Sequence, residues 1–215
     1  MKLVLYIFFN LFFVSTSFTQ VATLGVPKIG EYIKFACYSP DEKRILEASG
    51  SGVFILEATT GRTLFKLDMG LGQSAYTDFA KYSPDGRMIF TASNDSTVSS
   101  WNADNGQLIF RTKLPQALVN DLDISPNSKF LALTGLLSDK IYFIDALSGK
   151  ILDTTQTERY ISSVEFLANN NLLIAGDSIY EYDIANQQKI PFYFTGFNPV
   201  FGKRNIFLDR ERNIL

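Results

Sequence analysis

Apolar and polar residues alternate along most of this chain in runs of about six, and each run is cut by turn-forming residues. The stretch FAKYSPDGRMIFTASNDSTVSSWNADNGQLIF, from Phe79 to Phe110, shows the pattern most plainly. Ala80 and Tyr82 alternate on a first strand, and Ser-Pro-Asp-Gly follows as a turn. Pro84 presets φ at its first central position, and Gly86 frees the backbone after it. Met88-Ile89-Phe90 begins a second strand that ends in the polar hairpin Ser93-Asn94-Asp95-Ser96. A third strand runs from Thr97 to Asn102. The turn Ala103-Asp104-Asn105-Gly106 then leads into a fourth strand at Gln107-Leu108-Ile109-Phe110. Period-two alternation with turn signals at this spacing predicts an all-β domain of short antiparallel strands.

The unit recurs. FACYSPDEKRIL begins at Phe35, FAKYSPDGRMIF at Phe79, DLDISPNSKFLA at Asp121, SVEFLANNNLLI at Ser163 and RNIFLDRERNIL at Arg204. The fifth residues of these copies, Ser39, Ser83, Ser125, Leu167 and Leu208, are spaced by 44, 42, 42 and 41. One place earlier stand Tyr38, Tyr82, Ile124, Phe166 and Phe207. Six places later stand Ile45, Ile89, Leu131, Leu173 and Ile214. These are expected to be buried between strands or blades. A period near 40–45 residues holding four strands selects a β-propeller. The expected fold is therefore all-β, a propeller of four-stranded antiparallel blades with four complete blades and the start of a fifth. The blades fall at about 31–70, 76–115, 118–157 and 161–196, with a partial one at 203–215, and the ring is incomplete. Its open edges would expose apolar positions and recruit other chains.

The unit resembles the WD repeat. A first strand ends in Ser-Pro-Asp-Gly, and a third strand ends in a pair that is aromatic-acidic in the family. Here the pairs are Leu56-Glu57, Trp101-Asn102, Ile144-Asp145 and Tyr182-Asp183. The family's opening Gly-His is absent, since the chain has no His, so the network that His supports is missing or replaced. The Asp-Ala-x-x-Gly-Lys-like segments at Glu57–Arg62, Asn102–Gln107 and Asp145–Lys150 are similar to those of quinoprotein-like propellers, but the Trp that continues that motif does not follow. The WD resemblance implies a protein- or peptide-binding scaffold.

The first residues, MKLVLYIFFNLFFVSTSFTQ, differ from the rest. Lys2, the largely apolar stretch from Leu3 to Val14, and the small residues Ser15, Ser17 and Thr19 read as a signal peptide over residues 1–19, cleaved between Ser17 and Gln20. The stretch is shorter than the roughly 20 apolar residues that cross a bilayer, so no stable membrane insertion is expected after cleavage. Residues 20–30 form an N-terminal segment before the propeller at 31–215. The expected location is secreted, periplasmic or extracellular.

Charge and candidate chemistry narrow the function. A formal net charge of −2 and the absence of a basic run exclude nucleic acid as the expected partner. With one Cys and no His, neither Ser-His-Asp nor Cys-His machinery can be assembled, nor the usual zinc sets. Cys37 reads as a small buried hydrophobe. Ser49-Gly50-Ser51-Gly52 reads as a hairpin turn rather than a phosphate loop. Asp121 and Asp123, on one side of a first strand, could hold a hard cation, but read as solvated acids. Trp101 is read as packing between blades rather than as a stacking platform for a ligand. Asn94-Asp95-Ser96 fits a glycosylation acceptor, and Phe192-Tyr193-Phe194 reads as a fourth strand. No catalytic, cofactor-binding or metal-binding residue is assigned, and the binding residues stay open. The expected function is a non-catalytic, exported scaffold for proteins or peptides. The alternative is the propeller of an exported enzyme, quinoprotein-like or with its catalytic domain beyond Leu215.

Overall fold

Among the described residues, sixteen strands make four separate sheets. The computed structural model describes residues 33–70, 77–115, 119–135, 139–156, 161–176 and 178–191. The first sheet holds β1 (Ile33–Tyr38), β2 (Arg44–Ser49), β3 (Gly52–Glu57) and β4 (Thr63–Lys66). The second holds β5 (Thr77–Tyr82), β6 (Met88–Ser93), β7 (Thr97–Asn102) and β8 (Leu108–Lys113). The third holds β9 (Val119–Ile124), β10 (Phe130–Gly135), β11 (Lys140–Asp145) and β12 (Ile151–Gln156). The fourth holds β13 (Ser163–Phe166), β14 (Leu172–Ala175), β15 (Ile179–Asp183) and β16 (Gln188–Pro191). Each sheet is an antiparallel meander in chain order, as the repeat predicts. The fourth strand of the last sheet ends at Pro191, so Phe192-Tyr193-Phe194 lie outside the described residues, as do residues 1–32 and 203–215.

Register sorts the side chains of every sheet onto two faces, because neighbours across a ladder point the same way. One face carries the rows Tyr38-Ile45-Leu56, Tyr82-Ile89-Trp101, Ile124-Leu131-Ile144 and Phe166-Leu172-Tyr182. We call this the leading face, since in sheets two to four it packs against the sheet before. The other, trailing face carries Cys37-Leu46-Ile55-Phe65 in the first sheet and Lys81-Phe90-Ser100-Phe110 in the second. Leu46 and Ile55 pack with Tyr82, Ile89 and Trp101 in one core, and Phe90 packs with Ile124, Leu131 and Ile144 in the next. Ala132 and Phe143 pack with Phe166, Leu172 and Tyr182 in the third. The sheets therefore stack face on face as successive blades, and the repeated apolar places are the seams.

Two of these places depart from expectation. Tyr38 is 46% exposed and Ile45 only half-buried, whereas Tyr82, Ile124, Phe166, Ile89 and Leu131 are all buried. The cause is position: the leading face of the first sheet has no preceding sheet among the described residues. Leu173 is buried, but Leu172 occupies the row of Ile89 and Leu131. The turn before it is one residue shorter. Ser39, Ser83 and Ser125 each donate their N–H to the carbonyl five residues on, while Leu167 donates to Asn171, four residues on. A one-residue slip moves each following side chain to the opposite face, so Leu173 faces the trailing side.

The turns are held by their own side chains. Ser83 Oγ donates to Asp85 at 2.6 Å and accepts from the N–H of Met88 at 2.9 Å, and Asp85 accepts from the N–H of Arg87 at 3.1 Å. Ser39 with Asp41, and Ser125 with Asn127, repeat the arrangement. Gly86 has φ +74°, as its turn requires, and the same place in the other copies is held by Glu42, Ser128 and Asn170, all with positive φ.

These turns set an acid dependence. The Ser39 hydroxyl holds Asp41 below the ordinary carboxylate value of 3.8, the Ser148 hydroxyl does so for Asp145, and the Asn186 side chain for Asp183. Burial pushes Asp85 the other way, but the bonds from Ser83 and Arg87 outweigh it, and its pKa also falls. A lowered folded-state pKa contributes stability above the unfolded value that is lost as pH falls through the folded value. The unfolding midpoint should therefore drop as pH falls below about 4, read by circular dichroism in denaturant. A midpoint flat or rising from pH 5 to pH 2 would contradict this. Asp121 opposes the trend, since burial raises its pKa, but it is one group against four.

Candidate functional site

The innermost strands carry the charged side chains that sequence reasoning singled out, and they are spent on joining blades. Lys34 Nζ on β1 donates to Asp78 on β5 at 3.0 Å. Lys81 Nζ on β5 donates to Asp123 on β9 at 2.7 Å, and the other oxygen of Asp123 accepts the N–H of Phe166 on β13 at 2.7 Å. Asp123 thus ties three consecutive blades together. Asp121 Oδ2 accepts the hydroxyl of Ser163 at 2.6 Å and the N–H of Val164 at 2.9 Å. The expectation that these two acids are solvated is wrong. Asp123 is 3% exposed and Asp121 half-buried, because the next blade covers them and, with Lys81 of the blade before, supplies donors to them.

The electrostatics follow from that covering. Burial alone would lower the Lys81 ammonium, but the charge and hydrogen bond of Asp123, with Asp121 and Glu165 nearby, outweigh it and raise its pKa. Two places before Ser39, Ser83, Ser125, Leu167 and Leu208 stand Cys37, Lys81, Asp123, Glu165 and Ile206, a set that looks mixed along the sequence. The readable signal in it is that adjacent copies hold opposite charges at Lys81 and Asp123. Among the described residues, no group of three or more acid, Cys or His side chains is placed to hold a metal.

The other singled-out residues sit inside the seams or at turns. Trp101 is 1% exposed in the seam between the first two blades, and its indole N–H donates to Thr91 Oγ1 at 2.9 Å. Cys37 packs against the same seam, and burial pushes its thiol up to about 11, which makes it a poor nucleophile. Asn94 lies in the β6–β7 hairpin, where Asp95 accepts from the N–H and hydroxyl of Thr97. Gly50 and Ser51 form the tight connection from β2 to β3, as expected.

Tyr82 adds a local test. Its side chain is buried in the first seam, and its hydroxyl has no hydrogen-bond partner among the described residues. Tyr82→Phe should raise stability by about 1 kcal/mol by removing an orphaned buried group. Tyr82→Ala should lower it by roughly 2–5 kcal/mol. Denaturant unfolding of both variants checks the pair, and a destabilised Phe variant would contradict the assignment of the hydroxyl.

One concavity among the described residues is built around the Ser49–Gly52 hairpin. An open cleft of about 470 Å³ lies between the β2–β3 hairpin and the chain leaving β4, lined by Ser49, Ser51, Lys66, Asp68, Met69 and Thr77 among others. Lys66 Nζ lies 5.2 Å from the centroid of the Phe54 ring. The cleft thus offers one cation, one carboxylate, hydroxyls and glycine backbone, a set suited to an extended polypeptide. It opens at the end of the sheet opposite the Ser-Pro turns.

Comparisons with known proteins agree with this architecture. The family model described as WD domain, G-beta repeat, matches residues 72–102. The chain is 30% identical over 94 residues to p21-activated protein kinase-interacting protein 1 of Bos taurus, covering 44% of this chain and 23% of that one. It is 28% identical over 153 residues to the WD repeat-containing protein 26 homolog of Drosophila melanogaster, covering 68% and 24%. It is 26% identical over 148 residues to the COMPASS component SWD3 of Saccharomyces cerevisiae, covering 64% and 46%. The matched parts thus span less than half of these relatives. Among solved structures, the RRP9 WD40 repeats superpose with a TM-score of 0.68 at 16% identity, covering 78% of this chain and 52% of that one.

Proposed function

The chain belongs to the WD-repeat β-propeller family, and on that premise we propose that it is a non-catalytic, exported scaffold that binds a protein or peptide. The observation that carries the reading is the use made of its charged inner residues. Lys81, Asp121 and Asp123 are engaged in blade-to-blade bonds, so the chemistry left facing solvent is that of loops and clefts. The cleft beside Lys66 and Asp68 is the binding site of this proposal. A polypeptide laid along it would meet backbone donors and acceptors at Gly50 to Gly52 and a charge of each sign. Fold-level likeness alone does not give a partner, and the cleft supplies the specific claim.

A photo-reactive residue at Ser51 should capture a polypeptide from the native extract. Reversing both charges, with Lys66→Glu and Asp68→Lys, should abolish that capture. Capture unchanged by the reversal, or a hydrolytic or transfer activity in the purified chain, would overturn the reading. Export rests on the charged start, apolar stretch and small residues of the first 19 positions. N-terminal sequencing of exported material should begin between residues 18 and 20, and material beginning at Met1 would contradict it.

A further inference from the structure

A second cation stands at the cleft beside the β2–β3 hairpin, and register shows that it is Lys66 one repeat later. The row Ala36-Glu47-Phe54-Lys66 in the first blade is matched by Ala80-Thr91-Ser99-Arg111 in the second. In the third blade the same place is held by Thr154, opposite Tyr142. A cation at this place is therefore confined to the two blades whose residues line the cleft.

Both side chains lie against glycines of the cleft wall. A Cβ on Gly52 would stand 2.6 Å from Lys66 Cε and 3.2 Å from its Nζ, and one on Gly70 would stand 2.9 Å from Arg111 Nη1. Aromatic rings help to hold the two heads. Lys66 Nζ lies 5.2 Å from the Phe54 centroid, and the guanidinium carbon of Arg111 lies 5.8 Å from that of Trp101. Arg111 Nε also donates to Ser99 Oγ at 3.2 Å. Cations placed before a ligand arrives lose less freedom when it binds. Among the described residues, neither is in an ion pair. The carboxylates of the neighbourhood are turned elsewhere. Asp68 Oδ1 accepts the N–H of Gly70 at 3.2 Å, and Asp78, next to Thr77 in the wall, is paired with Lys34. In the row of Lys66, Phe54 stands between it and Glu47.

We propose that the polypeptide taken by the cleft is an acidic one, whose carboxylates meet Lys66 of the first blade and Arg111 of the second. The inference rests on the polypeptide-binding reading above and names the class of partner. With Nε engaged by Ser99, the two outer nitrogens of Arg111 are left beside Gly70 as a planar fork, which suits the two oxygens of a carboxylate. A carboxylate fits better than a phosphate, because Asp68 in the same wall repels about two charges more strongly than one. Gly52 and Gly70, without side chains, let the main chain of the ligand come close to both cations.

The test uses the full chain and four labelled peptides in which Gly alternates with Glu, Gln, Lys or phosphoserine. By fluorescence anisotropy, the Glu peptide should bind about tenfold more tightly than the Gln peptide, and more weakly as salt is raised. A photo-reactive residue at Ser51 should capture it. Lys66→Gln and Arg111→Gln should each weaken binding of the Glu peptide about threefold and leave the Gln peptide unchanged. The two together should remove the preference. Arg111→Lys should recover only part of the loss, since it keeps the charge without the fork. Both side chains are exposed, so the circular dichroism of these variants should match that of the native chain. Equal binding of the Glu and Gln peptides would overturn this inference and leave polypeptide binding standing, whereas capture of none of the four would overturn both. Preference for the Lys or phosphoserine peptide would also overturn it, as would a Glu preference that survives the double variant.

Discussion

Gly149→Ala is expected to lower the stability of the chain by about 3 kcal/mol or more, a large share of what holds a domain folded. Two effects combine there. Gly149 ends the turn after β11 with φ +71°, a backbone state that costs a residue with Cβ about 1 kcal/mol. An added Cβ would also collide with the Phe110 ring and with Thr112 Oγ1 of the preceding blade, and overpacking of this kind costs roughly 1–3 kcal/mol. The Thr112 hydroxyl already donates to the Gly149 carbonyl at 2.6 Å, so the two blades have little room to part. Gly50 makes the control, since a Cβ there meets nothing within 4 Å and its φ is not positive. Urea unfolding followed by circular dichroism should separate the variants, and equal midpoints would show that the third blade's turn is not seated on the second.

Asp123→Ala is the second large effect. The substitution leaves the Lys81 ammonium without its partner and the N–H of Phe166 without an acceptor. Removing one member of a buried ion pair costs roughly 3–5 kcal/mol. The Lys81 side chain is 44% exposed, so water takes up part of the loss and about 3 kcal/mol is expected. Asp123→Asn should cost less, because an amide oxygen still accepts from Phe166. Equal losses for Ala and Asn in equilibrium unfolding would mean that the backbone bond contributes nothing. No loss in either would remove Asp123 from the seam.

Much of the fold was legible because a propeller repeats one local instruction. Alternation, Ser-Pro-Asp-Gly and the second Gly turn each act within a few residues, so β7 appears at Thr97–Asn102, where the pattern places it. What could not be read is what depends on neighbours distant in sequence. Tyr38 carries the same local signal as Tyr82, yet one is exposed and the other buried, because burial is decided by the sheet before. Leu173 slipped a row because a turn lost one residue, a change that looks like ordinary divergence in an alignment of copies. Asp121 and Asp123 looked like acids at a strand edge. Only the register of the next blade shows that Val164 and Phe166 present backbone donors to them. The cleft at Lys66 and Asp68 could not be read from the Ser49–Gly52 string alone, since it arises where that hairpin meets the connection after β4.

The chain has a single Trp, and it lies in the seam between the first two blades. The central claim, that consecutive repeats stack face on face, can therefore be read from Trp101 alone. Hydrogen exchange at its indole N–H, followed by NMR in the native chain, should be slow, because the proton is bonded to Thr91 Oγ1 and the ring is 1% exposed. Exchange should quicken only when the seam opens with unfolding, and the emission should be that of an apolar site until then. Rapid exchange, together with the emission of a water-exposed indole in a chain still rich in sheet by circular dichroism, would contradict the stacked-blade account.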